Sequence, residues 1–409
     1  METQSTDKRV DLSKLWPVGV FLAVIGLAGL VVLSGADKHH LWGSYIFGFV
    51  FWMSITLGCF GLSLLHHATR GSWSVSVLRL FESGGGWQSL LLMAALFLPI
   101  AFGGGHELYE WMHLDEVQKD PILQHKQGYL NETFWLGRIA FYFIIWIVWA
   151  LIMRRSTIAQ DESKDFRHEA RRGSGGAAGL VMFFLTVTFA LLDWVMSMNP
   201  HWYSTMYGAW LIVGSGYGAL ALVTAIVCHN AEKEPYRSIV SPYLTKDLGN
   251  MLFVLTMLWG YTTLSQFIII WNGNIPETTT FYKVRSATYP PGMEGNYWAF
   301  VGFILIVGMF FIPFYSLITP RTKKVPSLLK KIAIWMFCMA IINIFLIVVP
   351  SVPERANLGP VNPSWLVTDI LAFIGVGGAW LAIFSWMSTK APLVPLYDTR
   401  LQEAKAHAH

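Results

Sequence analysis

Residues 193–210 read Asp193-Trp-Val-Met-Ser-Met-Asn-Pro-His-Trp-Tyr-Ser-Thr-Met-Tyr-Gly-Ala-Trp210. The stretch opens on an acid inside an apolar run, crosses a short polar link at 199–201, and is apolar again by Trp210. A carboxylate among lipid-length apolar residues is costly, which makes it a functional candidate by default. The aromatic residues around the crossing are those that gather where helices leave a bilayer. Read this way, the stretch is a tight turn between two membrane helices. Trp194, His201, Trp202, Tyr203 and Tyr207 are its expected interfacial anchors.

The rest of the chain agrees with that reading. Apolar residues make up 54% of it and charged residues only 13%, and apolar runs of about 20 residues recur, enough to cross a core about 30 Å thick. Ten spans are expected, at 15–34, 41–66, 86–104, 133–153, 177–198, 206–228, 249–271, 297–317, 329–350 and 365–387. The first is read as a retained helix, because no small-residue cleavage pattern follows it. Lys and Arg are unevenly shared: 22 lie on the side of the two termini and 6 in the opposite loops, with Arg138 inside a span. By the positive-inside rule both termini are cytoplasmic. Basic residues such as Arg154, Arg155, Arg171 and Arg172 are expected to anchor this topology.

The fold expected is an all-α integral membrane protein forming one transmembrane domain over residues 1–409. Short links make sequential helices antiparallel neighbours, so spans 2–5 and 6–9 form two consecutive four-helix bundles with spans 1 and 10 peripheral. The Gly-rich stretch 173–179 lacks the Lys of a phosphate-binding loop and reads as a flexible lead into span 5.

Ionisable groups inside the spans are few: Arg138, Asp193 and Asp369. Arg138 and Asp193 each lie about five residues from the outer ends of sequential antiparallel spans, about 8 Å deep at 1.5 Å per residue. An Arg138–Asp193 ion pair follows. It either sets helix register or presents a proton-accepting carboxylate at the edge of a lipid-soluble substrate's pocket. His39, His106 and Glu107 fall in the same outer layer, where a histidine and a carboxylate beside aromatic rings suit quinol oxidation. Thr256, Tyr261, Thr262, Ser265 and Gln266 on span 7, with Asp369 on span 10, are candidates for a proton path, or else helix-to-helix hydrogen bonds. The outer loops 105–132 and 273–296, the latter with Tyr289, Pro290, Pro291 and Tyr297 at its end, read as docking surfaces.

Other chemistries are disfavoured. The three cysteines lie in apolar runs with no Cys-x-x-Cys, arguing against iron–sulfur, zinc-ribbon or c-type haem attachment. No histidine occupies a span centre as a haem ligand would. His-x-x-x-His spacing is also missing, so no metal site is expected.

Ten helices, two four-helix sets and the run at 193–207 resemble the NrfD/polysulfide-reductase-type membrane subunits. The likeness is nearest to the ActF-type subunits, the smaller of two such subunits in alternative complex III, a quinol:cytochrome c oxidoreductase. It implies a subunit of a bacterial inner membrane that holds no redox cofactor and takes part in quinol interaction, proton translocation or both. Quinol or menaquinol would be its substrate. The implied partners are a paralogous ActC-like subunit, a periplasmic ActB-like iron–sulfur/molybdopterin-like subunit, multihaem cytochromes c and a terminal oxidase. Haem c and iron–sulfur clusters would reside in those partners. The alternatives are a structural anchor for such periplasmic subunits, or a secondary transporter. Paired Gly/Pro-broken spans at matching places, which would favour transport, are not evident.

Overall fold

The computed structural model describes residues 9–35, 37–69, 71–285, 298–352, 363–395, 398 and 401. Tyr289, Pro290, Pro291 and Tyr297 lie outside them. Among the described residues ten helices are long and apolar enough to span a membrane: Leu15–Ser34, Lys38–Thr69, Leu78–Leu108, Glu132–Ser163, Arg167–Met198, Tyr207–His229, Pro242–Gly273, Trp298–Ile318, Pro326–Ser351 and Trp365–Ser388, hereafter spans 1 to 10. Among the described residues no strand occurs, and β-type pairing is limited to one bridge between Arg9 and Glu234. Helices satisfy their own backbone groups, the requirement that lipid imposes.

Spans 3, 4, 5 and 7 run well beyond the expected limits on the side of the termini. In spans 4, 5 and 7 the extra turns are largely polar, and helical hydrogen bonding continues where hydropathy no longer marks it, whereas in span 3 the extension is the separate, buried helix Leu78–Gly84. The stretch 173–179 is one such extension. It is helix, not a flexible lead, and its glycines are sites of close packing. A Cβ on Gly176 would lie 2.8 Å from the backbone of Leu64 and Ala68, and one on Gly179 would lie 2.5 Å from the Trp149 indole.

Span 2 is buried along nearly its whole length, which explains why it is apolar all round rather than on one stripe. It lies against spans 3, 5, 6 and 10. Three of its glycines admit three different neighbours. A Cβ at Gly48 would meet the Ala372 backbone of span 10 at 2.7 Å, at Gly58 the Ser215 carbonyl of span 6 at 2.2 Å, and at Gly61 the Phe183 ring of span 5 at 2.7 Å. Without a hydrophobic drive between helices in lipid, such close approach supplies the association energy. Gly58→Ala is therefore expected to cost about 1–3 kcal/mol by overpacking. Gly137→Ala, with no atom within 4 Å of its Cβ, should be neutral or stabilise by up to about 1 kcal/mol through helix propensity. Unfolding of the two variants in mixed micelles checks this, and equal stabilities would refute the packing account.

Span 4 lies against spans 3 and 5. In the second half, span 6 lies against spans 7 and 9, and span 8 against the same two. Span 1 packs on span 10 through Gly19, Gly26, Gly375 and Gly378. Span 10 in turn lies on spans 2 and 3. Two spans contain π turns. In span 3 the turn Ile100–Gly104 follows Pro99, which has no N–H to donate, and the Tyr45 hydroxyl donates to the nearby Leu96 carbonyl at 2.7 Å. In span 8 the turn is Ile306–Phe311. Tyr217 of span 6 donates to its Met309 carbonyl at 3.1 Å and Trp335 of span 9 to its Gly308 carbonyl at 2.7 Å.

Candidate functional site

The helix of span 5 ends at Trp194, and a 3-10 turn over Met196–Met198 leads to Asn199 and Pro200. Carbonyls at a helix end lose their intrahelical donors, and here side chains replace them. Trp135 Nε1 (3.1 Å) and Ser197 Oγ (2.6 Å) donate to the Asp193 carbonyl, Tyr109 Oη to the Trp194 carbonyl (2.9 Å), and Trp111 Nε1 to the Ser197 carbonyl (3.1 Å). Trp194, Trp202 and Tyr207 are at most 2% exposed. They are core residues rather than the interfacial anchors expected: the Trp194 ring packs among Phe49, Phe97, Phe143 and Trp146 of spans 2–4, and Phe281 of the outer helix Pro276–Val284 stacks on Trp202, which in turn meets Tyr207. Tyr203 remains exposed.

The Asp193 carboxylate is 0% exposed. A negative charge at a helix C-terminus also opposes the macrodipole, so the site requires a cation. Arg138 of span 4 supplies it in a two-pronged pair, Nη2 to Oδ1 at 2.8 Å and Nε to Oδ2 at 2.9 Å. Tyr142, one turn further along span 4, donates to Oδ2 at 2.9 Å. Arg138 is fixed from behind, donating to the Tyr129 carbonyl at 2.9 Å, with its guanidinium carbon 3.8 Å from the Tyr129 ring centre and 4.4 Å from that of Phe134. The pair expected from equal depth is therefore present. Tyr142 was not singled out, since a tyrosine among the aromatic residues of span 4 has no distinguishing pattern.

The other candidates are dispersed. His39 Nε2 and Glu107 meet at 3.1 Å on the outer rim. His106 is exposed, and its carbonyl is 2.6 Å from His113 Nε2. Asp369 is buried beside Thr368, whose hydroxyl is 2.9 Å from both Ser44 Oγ and His40 Nε2. On span 7, Thr256 and Thr262 donate to their own helix at Leu252 and Leu258, both at 2.9 Å. Ser204 Oγ donates to the buried Gln266 at 3.3 Å. Ser265 is half-buried, while Tyr261 points outward at 67% exposure. These span 7 residues thus do not share one face.

The outer loop is also tied to the 199–201 link. His201 Nε2 contacts Asp120 Oδ2, and Lys126 donates to the Pro200 carbonyl. The hydrogen bond with His201, with help from the Ile122 amide, holds the Asp120 carboxyl below its usual value. A depressed carboxylate stabilises above its unfolded pKa and loses that contribution as pH falls through the lower folded one. The protection factor of the Ile122 amide should accordingly be high at pH 6 and fall only below about pH 4. Equal protection at pH 3 and pH 6 would remove the tie.

A second charged site, missed from sequence, lies at the opposite end of spans 2–5. Glu82 sits on the short helix Leu78–Gly84 that begins span 3. Its Oε2 accepts from Arg79 Nη1 at 2.8 Å and from Arg154 Nη1 of span 4, and Arg79 Nη2 also pairs with Asp161. Arg172 of span 5 donates to the Ser156 carbonyl at 2.9 Å and to Gln160. Arg154 is thus a buried member of this network and Arg172 is buried on the neighbouring span, so neither side chain is placed for the contact with anionic lipid that basic loops suggest. Glu82 lines a cavity of about 10 Å³ with His67, Ser63 and Arg154, about the volume that admits one water. Its Oε1, like Nε of Arg79 and of Arg154, has no hydrogen-bond partner among the described residues. The sequence signal was present in Arg79-x-x-Glu82, an i,i+3 pair of opposite charge, just ahead of Gly84-Gly85-Gly86.

Among the described residues no group of three or more His, Cys, Asp or Glu side chains is placed to hold a metal ion. The chain matched no protein-family model and no curated protein.

Proposed function

We propose that this chain is a membrane subunit of a respiratory quinol:cytochrome c oxidoreductase of the alternative complex III type. It would sit in a bacterial cytoplasmic membrane with both termini inside and hold no redox centre of its own. Within that role the geometry favours proton handling over quinol oxidation. The supporting observation is that spans 2–5 bury ionisable groups at both ends: Asp193 with Arg138 and Tyr142 at one, Glu82 with Arg79 and Arg154 at the other.

The two ends differ in chemical freedom. Asp193 accepts three charge-assisted or hydroxyl hydrogen bonds and has no exposed surface, so it stabilises charge more readily than it exchanges it. Glu82 keeps one oxygen toward a water-sized cavity. A water there would bridge Oε1 and His67 on the same cavity wall, passing a proton from a protonated imidazole to the carboxylate while taking the imidazole's proton in exchange for its own. Electrons would pass from quinol to cofactors held by partner subunits on the outer face. His39 and Glu107, paired at the outer rim, suit the release of protons there. Quinol contact at that rim is the second part of the reading.

Purification of the tagged chain from its own membrane tests the assignment. A red, haem-containing assembly with quinol:cytochrome c activity is expected. A colourless chain that moves a solute by itself would overturn it in favour of a transporter. In the assembled complex, reconstituted in liposomes, Glu82→Gln should lower the protons moved per electron at least twofold while quinol oxidation continues. Asp193→Asn should slow turnover about tenfold or more, the size of a lost charge-assisted contact. Normal turnover and proton yield in both variants would leave the structural-anchor role.

A further inference from the structure

The two halves of the chain use their basic residues differently on the side of the termini. Around Glu82 the arginines turn inward and meet carboxylates. At the ends of spans 7–9 the cations stay outside. Span 8 passes through the short helix Pro320–Lys324 into span 9. This corner carries Lys246, Arg321, Lys323, Lys324 and Lys331, against one acid on span 7, Asp247, and none between Glu294 and Glu354. Lys323 is half-buried and the other four are exposed. Among the described residues the ion pairs involve Arg79, Lys119, Arg138, Arg154 and three histidines, and none of these five cations.

Lys323 has the most defined setting. The short helix lies on the first turns of span 7, where Thr245 Oγ1 donates to the Lys324 carbonyl at 3.2 Å. The Lys323 stem runs so close along span 7 that a Cβ on Gly249 would lie 2.5 Å from its Cγ, and its ammonium donates to Asn250 Oδ1 at 2.8 Å. That ammonium stands 5.9 Å from the centre of the Phe253 ring. Burial lowers its pKa, and the nearby charge of Lys246 lowers it further, so the two cations repel one another and would gain from an anion between them. Span 7 turns apolar just after Gly249 and Asn250. Phe253 packs on Phe314 of span 8 with ring centres 5.6 Å apart, and the next residue, Tyr315, is 66% exposed. A tyrosine so placed marks the membrane–water boundary. The Lys323 ammonium is therefore at head-group depth, and the exposed side chains of Val254 and Met257 continue from it into the lipid.

We propose that the corner between spans 7 and 8 and the helix Pro320–Lys324 binds an anionic phospholipid, with Lys323 and Lys246 on its phosphate and its acyl chains along the outward face of span 7. Depth selects lipid over a soluble acidic partner. A phosphate of the adjoining leaflet lies where the Lys323 side chain ends, whereas a soluble protein would meet only the exposed cations nearer the water. Anionic lipid attracts juxtamembrane Lys and Arg, each adding roughly fivefold to the partition. Such a site requires only that the chain spans a membrane and is independent of the respiratory role.

Photo-cross-linking tests the site. The protein purified from its own membrane, with any bound subunits, is placed in phosphatidylcholine nanodiscs containing a minor fraction of cardiolipin that carries a diazirine close to its glycerol backbone. Label is expected on peptides covering 250–254 and 315–318, at least about fivefold above that from a phosphatidylcholine carrying the same diazirine. Lys246→Gln/Lys323→Gln should lower the cardiolipin label about tenfold or more. Phosphatidylcholine label on span 1, where Val24 and Val32 face outward, should stay unchanged and reports an intact fold. If the double variant fails that control, Lys246→Gln at its exposed position decides, with a roughly fivefold loss. Equal label from the two lipids overturns the site, as does cardiolipin label that survives removal of the charges. Absence of any label there also overturns it and leaves a protein as the occupant of this corner. Turnover is not read, so failure here leaves the respiratory assignment untouched.

Discussion

Arg138→Leu is expected to destabilise the folded chain by about 3–5 kcal/mol, the cost of leaving a buried charge without its partner. Asp193 is fully buried, at a helix C-terminus whose dipole repels it, and Arg138 provides both of its ionic contacts. Tyr142 would remain as a single neutral donor. The double variant Arg138→Leu/Asp193→Leu should recover much of the loss, because an apolar pair escapes the desolvation that an ion pair suffers. A thermodynamic cycle in mixed micelles measures the coupling. A loss below about 1 kcal/mol for Arg138→Leu would place the pair among weak surface bridges and remove its structural role.

Glu82→Leu should be comparably severe, again about 3–5 kcal/mol, for a different reason. Arg79 keeps Asp161 as a second acid, but among the described residues the carboxylate that meets the Arg154 guanidinium is that of Glu82. The variant would therefore leave one buried guanidinium without a carboxylate. Arg154→Leu in the same chain should restore part of the stability, whereas Arg79→Leu should restore less. Because the cluster is buried, the effect should persist at 1 M salt, where exposed pairs are screened within about 3 Å. Loss of the effect in high salt would mean that the cluster is wet and open.

The difference between these two sites shows how far sequence reasoning reached. Arg138 and Asp193 were legible because each interrupts a long apolar run, and antiparallel sequential helices place equal depths side by side. The rise of a helix turns position along the chain into depth, so no coordinates were needed to pair them. Glu82, Arg79, Arg154 and Arg172 lie where hydropathy falls, and such residues look the same whether they face water or one another. Helices that continue past the bilayer carried them inward into contact. Likewise Trp194, Trp202 and Tyr207 have the composition of interfacial anchors, yet the rings of spans 2–4 around Trp194 and the outer helix Pro276–Val284 over Trp202 turned that interface into core.

Thus apolar run length, the sparing use of charge within spans and the lopsided Lys/Arg distribution suffice for ten helices and the Arg138–Asp193 pair, since lipid permits few other arrangements. Which helices touch depended on glycines meeting particular partners, as Gly58 meets Ser215. The network around Glu82 and the outward turn of Tyr261 arose only from packing. Hydropathy reports how deep a residue lies and is silent on which neighbour it faces.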